Sequence, residues 1–381
     1  MLFILLSLVW PFSSLPSTAS EPGDDPLEEL GSDDVQTATP KPPTGKLRFP
    51  AEHESQAALM LAGDELARSF PRLFVDLATA LRGKTKLLVL ASDREVADEL
   101  QAMLDARDLP RDGIHYLQVP HNSMWTRDYG PLIVERGGKW GMIDADYFEV
   151  GRRGDDLAPT LLGRLAGMRV YQTPLRLEGG NLLTNGRGIG LTTTIALDRN
   201  ADRGFDRRQV ERVMTDFFGI EKAVFLEPLS GETTGHVDMF ATFVSPDTVL
   251  VGKCDPAIDP VNAALLDRNA ARLAATPKTP KGTENLQVVR IPMPAHRDGQ
   301  WRSHANVVYA HPLVLVPTYP AATSAADQQA LALYRRLMPG WTVIGVDASG
   351  LIQRGGALHC VVLNLPHTGK LLDLSFEKSG E

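Results

Sequence analysis

Arg354-Gly355-Gly356-Ala357-Leu358-His359-Cys360 runs directly into Val361-Val362-Leu363-Asn364-Leu365. The apolar, β-branched run predicts a strand, and the residues ahead of it put a thiol at the strand's head. Paired glycines there let backbone or a ligand approach closely. The chain has only two cysteines, Cys254 and Cys360, too few for a disulfide scaffold. A lone cysteine with His and Asp elsewhere in the sequence is a candidate nucleophile, because its partners need only be near in space. A buried small hydrophobe is the alternative for any free cysteine. A nucleophilic thiol must stay reduced, so no Cys254–Cys360 bridge is expected.

Working outward, three more polar clusters stand where apolar strands would otherwise run. Trp125-Thr126-Arg127-Asp128-Tyr129-Gly130-Pro131 precedes the strand that begins at Leu132, and taken alone it reads as an Arg–Asp pair closing a turn. Glu178-Gly179-Gly180-Asn181 sets a carboxylate beside two glycines, which alone is a Gly-rich turn. Gly235-His236-Val237-Asp238 leads into Met239-Phe240, and strand alternation puts His236 and Asp238 on one face.

Together these clusters supply a thiol, an imidazole and three carboxylates. A zinc site would want tighter His/Cys spacing, and on a strand the neighbours His359 and Cys360 point to opposite faces, so no metal is expected. Carboxylates crowded around one thiol raise its pKa, which suits a simple protease poorly. A papain-like protease would usually bring the Cys first and the His later, whereas here His236 precedes Cys360. The carboxylates become useful if the substrate is a flat cation: a guanidinium takes planar carboxylate partners on its N–H edges, and its arrival favours the thiolate.

The composition, 43% hydrophobic and 23% charged over 381 residues, is that of a globular protein with room for one large domain. A net charge of −8 argues against nucleic acid or anionic membrane as partner. Residues 1–10 form an apolar run too short to span a bilayer. Ser17-Thr18-Ala19 then offers small residues suited to signal-peptidase cleavage, so residues 1–19 are expected to be a signal peptide and the protein to be exported. No Lys or Arg precedes the run, as such a signal would normally have; a misplaced start would leave the protein cytoplasmic. Residues 20–46, rich in Pro, Gly and acidic side chains, predict a disordered linker.

Folded sequence is expected from about Leu47, as one domain to the C-terminus. Strands are predicted over 57–61, 86–90 and 114–119, with helices over 65–81 and 95–106, the second capped by Asp93. A hairpin over 132–135 and 140–143 turns at Gly137-Gly138. Strand pairs follow around Thr192, over 240–251, and at 307–309 with 313–316. Helices are expected near 207–217, 262–275 and 325–337. The units recur every 50–60 residues or so, which suggests pseudo-symmetry about an axis. There is no Gly-x-Gly-x-x-Gly and no Walker loop.

The four motifs resemble, in order, those of the agmatine deiminase and bacterial peptidylarginine deiminase family: Trp125-x-Arg127-Asp128-x-Gly130-Pro131, Glu178-Gly179-Gly180-Asn181, Gly235-His236-Val237-Asp238 and Gly355-Gly356-x-x-His359-Cys360. The resemblance implies the pentein fold, a five-bladed α/β propeller of ββαβ modules with the site on its axis. It also implies that Cys360 attacks the guanidinium carbon and that Asp128 and Asp238 hold the guanidinium nitrogens. His236 would serve as acid and then base. Asn306 would steady the site, and Trp125 and Glu178 would line it, Glu178 as a partner of substrate or histidine. No cofactor is implied.

The same resemblance bears on the far end of the substrate. Tyr147-Phe148-Glu149-Val150-Gly151-Arg152-Arg153-Gly154-Asp155-Asp156 is similar to the loop whose arginines bind a substrate carboxylate in the peptidylarginine branch. Either Arg152 or Arg153 could do so, and a solvated basic turn is the alternative. The segment Gly355–Cys360 lacks the third glycine of agmatine deiminases, and Ser123 stands where they usually carry Asp. Arginine in peptides or at C-termini is therefore the first expectation and agmatine the second. Another pentein hydrolase, an amidinotransferase or a non-catalytic binding module ranks below both.

Overall fold

The computed structural model describes residues 38–294, 296 and 298–368. The signal-peptide expectation for residues 1–19 and most of the linker expectation lie outside these residues. Ala58–Ala62 (β1) and Lys86–Ala91 (β2) are parallel and almost wholly apolar, as strands covered on both faces must be. Ile114–Gln118 (β3) extends the sheet. Leu132–Arg136 (β4) and Lys139–Asp146 (β5) then form a hairpin, and Val170–Arg176 (β6) runs parallel to β5 after an intervening helix. Gly137 and Gly138, at φ of 53° and 77°, supply the two left-handed positions such a tight turn needs.

Three further sheets repeat the plan of antiparallel pair, helix and parallel strand. They are Leu183–Thr184 (β7), Ile189–Thr193 (β8) and Lys222–Leu226 (β9); Ala241–Ser245 (β10), Thr248–Lys253 (β11) and Gln287–Pro292 (β12); and Val308–Ala310 (β13), Leu313–Thr318 (β14) and Thr342–Asp347 (β15). Leu363–Leu365 (β16) pairs antiparallel with β1 and gives the first sheet the strand that the others find locally. The result is five ββαβ blades, the pentein architecture.

The apolar core is distributed between the blades. Leu59 and Val89 of the first blade pack with Val308 and Leu315 of the fifth, and Met60 and Leu88 with Ile133 and Met142 of the second. Val134 and Ile143 meet Phe225, Leu191 and Val224 meet Phe243 and Val249, and Leu250 and Ile291 meet Tyr309 and Val314. Each wedge joins one blade to the next until the ring closes. The burial that holds the protein together therefore lies off the axis, which leaves the axis free for polar groups.

Several expectations are corrected here. The helix expected over 65–81 is two, Gly63–Ser69 and Pro71–Leu81, because Pro71 has no N–H to continue the first and is well suited to open the second. A helix that the sequence pattern did not predict, Arg153–Leu165, follows β5. Its buried stripe of Ala158 and Leu162 outweighs the interior Pro159 and the loop-like Arg-Arg-Gly-Asp-Asp that opens it. Ordered chain also begins before Leu47: Thr39, inside the expected linker, bridges to Tyr171 and donates its N–H to the Val170 carbonyl at 3.1 Å. Asp93 caps its helix as expected, accepting the Val96 N–H at 3.0 Å.

Candidate active site

Each blade's innermost strand is preceded by a short polar segment. Single helical turns lie ahead of β4 (Thr126–Tyr129), β7 (Gly179–Asn181), β10 (Val237–Met239) and β16 (His359–Val361); residues 303–306 precede β13. The Thr126–Tyr129 turn packs on the Gly179–Asn181 and His359–Val361 turns, and Gly179–Asn181 packs on Val237–Met239. This corrects the expectation that His236 and Asp238 share a strand face and that His359 and Cys360 sit on opposite faces of one. The turns can replace strand because side chains of other blades take up their backbone donors. Asn181 Oδ1 accepts the Val237 and Thr193 N–H groups, both at 3.1 Å, and Asn306 Oδ1 accepts the His359 N–H at 3.1 Å.

The predicted groups converge. His236 Nε2 is 2.8 Å from Glu178 Oε2, and its Nδ1 is 3.6 Å from Asp128 Oδ1. Asp128 Oδ1 accepts the Gly180 N–H at 3.2 Å. Gly180 lies among all three side chains: a Cβ there would stand 2.6 Å from Asp128 Oδ1, 2.7 Å from His236 Nδ1 and 3.2 Å from Asp238 Oδ2. Gly356 makes room differently, since its Cβ would come within 2.4 Å of the Trp125 ring and 3.1 Å of Cys360 Cβ. Gly355 is needed for its left-handed φ of 96°.

Cys360 is buried, with Asn306 Nδ2 and Oδ1 both 3.6 Å from its sulfur. Burial, then the charges of Asp238 and Asp128, push its thiol well above the ordinary range. Asp128 is also raised, by burial first and by Asp238, with His236 opposing. Asp238 Oδ1 is buried and has no hydrogen-bond partner, an expensive state for a carboxylate oxygen that a cationic N–H donor would relieve. Among the described residues no group of three or more His, Cys, Asp or Glu could hold a metal ion.

Two further parts of the site, Glu52 and Arg199, carried no signal in the sequence. Arg127 pairs with Glu52 (Nη1–Oε1 2.7 Å), not with Asp128. Glu52 also meets His359 Nε2 at 2.8 Å, while His359 Nδ1 meets Asp238 Oδ2 at 2.7 Å. Arg199 pairs with Glu178, lies over the Phe148 ring at 5.0 Å and donates to the Thr234 carbonyl at 3.1 Å. Glu52 lies in a polar run ahead of β1 and Arg199 on the short helix Ile195–Ala201. Neither is flanked by a motif that would single it out.

Of the two candidate arginines, Arg153 is exposed and opens the helix. Arg152 is partly buried. Its Nη1 is buried without a hydrogen bond, the Asp155 carboxylate standing 3.9 Å off. It also lies within electrostatic reach of Tyr147, which in turn feels Asp128. Ser123 gains a role as well, donating its hydroxyl to the buried Asp155 at 2.7 Å and fixing the segment ahead of Trp125.

The fold and this axial cluster define a guanidine-deiminating hydrolase. A model of the Porphyromonas-type peptidyl-arginine deiminase family matches residues 48–366, and the chain belongs to that family. The relatives carry more than one name. An agmatine deiminase of Pseudomonas putida is 26% identical over 68% of this chain and 79% of its own. A Photobacterium profundum protein, provisionally named an agmatine deiminase, is 27% identical over 84% and 96%. A solved Porphyromonas gingivalis structure, provisionally named an arginine deiminase, is 27% identical with a TM-score of 0.73 and covers 85% of this chain and 99% of its own.

Proposed function

We propose that the protein deiminates a guanidino group through a covalent intermediate on Cys360. The observation that carries this reading is Asp238 Oδ1, a buried carboxylate oxygen without a donor, close to a thiol that burial and two carboxylates push well above its ordinary range. A guanidinium bound between Asp128 and Asp238 supplies the N–H donor that Asp238 Oδ1 lacks and offsets the negative charge around the thiol. The thiol pKa then falls, its proton passes to solvent, and the thiolate attacks the guanidinium carbon to form a C–S bond. His236, oriented by Glu178, gives a proton to the departing nitrogen as the C–N bond breaks and ammonia leaves. It then takes a proton from the water that attacks the same carbon, the C–S bond breaks, and a ureido product is released.

Agmatine is the substrate that the relatives' names favour, ahead of the peptidyl or C-terminal arginine that the sequence motifs place first. The arginine reading is retained by Arg152, whose buried, unbonded Nη1 could receive a carboxylate. Ammonia release from agmatine, free arginine and peptides with internal or C-terminal arginine separates the two. If agmatine is the substrate, its kcat/KM leads and Arg152→Ala leaves it unchanged. If a carboxylate is read, free or C-terminal arginine leads and Arg152→Ala costs it at least tenfold more than agmatine. Turnover of none of these guanidines overturns the deiminase reading itself.

A further inference from the structure

We propose that His359, clamped between Asp238 and Glu52, is a positioning residue for deimination, fixing the carboxylate edge that the guanidinium meets. The inference rests on the deiminase reading, but the steps above give His359 no part. An imidazole with one ring nitrogen 2.7 Å from Asp238 Oδ2 and the other 2.8 Å from Glu52 Oε2 donates in both directions only when both nitrogens carry protons. The geometry therefore calls for an imidazolium between two carboxylates.

Arg127 keeps Glu52 in its ionised form. Its Nη1 is 2.7 Å from Glu52 Oε1, its Nη2 is 2.8 Å from Asn364 Oδ1, and its Nε reaches the His359 carbonyl at 3.4 Å. Burial alone would raise Glu52, but Arg127 and His359 outweigh it and hold the carboxyl down to about 2. Burial and the Arg127 charge oppose protonation of His359, and Glu52 and Asp238 overcome them to raise it. The charged groups facing His359 are thus Asp238, Glu52 and Arg127, with His53 beyond Glu52. Two buried cations balance two buried anions.

The consequence lies at Asp238. Oδ2 is committed to His359, which stops the carboxylate from rotating and leaves Oδ1 as the acceptor without a partner. A neutral His359 would still be able to donate from Nδ1, but it would no longer offset the second carboxylate or hold Glu52. Glu52 acts through this ring, and Arg127 acts through Glu52 and through the His359 carbonyl, so they too are positioning residues.

The test compares kcat/KM against pH for wild type and Glu52→Gln, with nitrogen-15 NMR of the histidine rings in the wild-type protein. Gln keeps the size of the side chain and one of its two acceptor oxygens, and it removes one of the two charges that hold the ring protonated. The pKa of His359 falls, and its contribution, present below that pKa, is lost earlier as pH rises. The expected result is an alkaline limb displaced by at least one pH unit to lower pH in Glu52→Gln. In wild type, one imidazole, assigned by its loss in His359→Gln, should have both nitrogens protonated at pH 7. Superimposable profiles, or a neutral His359 at pH 7, would overturn the proposal while leaving wild-type deimination intact. If wild type releases no ammonia from any guanidine, the deiminase reading falls, and this inference with it. The NMR arm reads the ring in the wild-type protein, so the proposal can be overturned even where Glu52→Gln folds poorly.

Discussion

At the scale of single residues, the site depends on what is missing as much as on what is present. Gly180 has an ordinary backbone conformation, so only space forbids a side chain there. In Gly180→Ala the methyl group would press on Asp128, His236 and Asp238 together, at separations of 2.6–3.2 Å. All three contacts are to side-chain ends, which can shift, so the fold should survive while the geometry for attack does not. Displacements of about 1 Å at a reacting centre cost roughly a hundredfold in rate. The expected outcome is at least that loss in kcat with a melting temperature close to wild type. Near-normal turnover would show that the three groups need not converge on this glycine.

At the scale of elements, the blade is a repeated solution to one problem, and its helices carry their own electrostatic costs. Asp144 on β5 is buried beneath the helix Arg153–Leu165, where Thr160 Oγ1 donates to it at 2.7 Å. Burial, with Asp156 and Asp146 adding, pushes its carboxyl up to about 6 against that bond. Because the folded value exceeds the unfolded one, the stabilising contribution of the protonated form is full below about pH 4. It is lost as pH rises through 6, at a cost of roughly 2–3 kcal/mol by pH 7. Asp144→Asn keeps an acceptor for Thr160 and removes the titration. Denaturant unfolding should find the variant more stable than wild type by about 1–3 kcal/mol at pH 7, with the gap closing towards pH 4. A gap that does not depend on pH would contradict the assignment.

Elements were also the scale at which the sequence was most readable. Continuous apolar runs located β1 and β2 to within a residue, and the β4–β5 hairpin was located with its turn at Gly137-Gly138, though β5 runs three residues further than expected. The Arg153–Leu165 helix was missed because its first turn has loop chemistry and its interior holds Pro159, so local signals opposed the burial that decides it. The polar clusters at the heads of strands were legible because charge is out of place in an apolar run. Their conformation was not: whether a buried turn or a strand carries His236 and Asp238 depends on Asn181, a residue from another blade. Glu52 and Arg199 were invisible for the same reason, since only the closed ring brings them to His359 and Glu178.

At the scale of the whole molecule, ring closure and chemistry coincide. β16 completes the first blade immediately after the turn that holds Cys360, so the thiol reaches the axis only when β16 docks against β1, about 300 residues earlier in the chain. Every other blade contributes a polar group to the same axis, and the apolar wedges between blades supply the rigidity that keeps these groups aligned. The central claim is that this axis presents a flat cation to the Cys360 sulfur. Ammonia and ureido-product formation by Cys360→Ala, measured beside wild type on agmatine and free arginine, tests it most directly. The account predicts no product above the uncatalysed background from a variant that unfolds at the wild-type temperature. Product formed at a substantial fraction of the wild-type rate would contradict it.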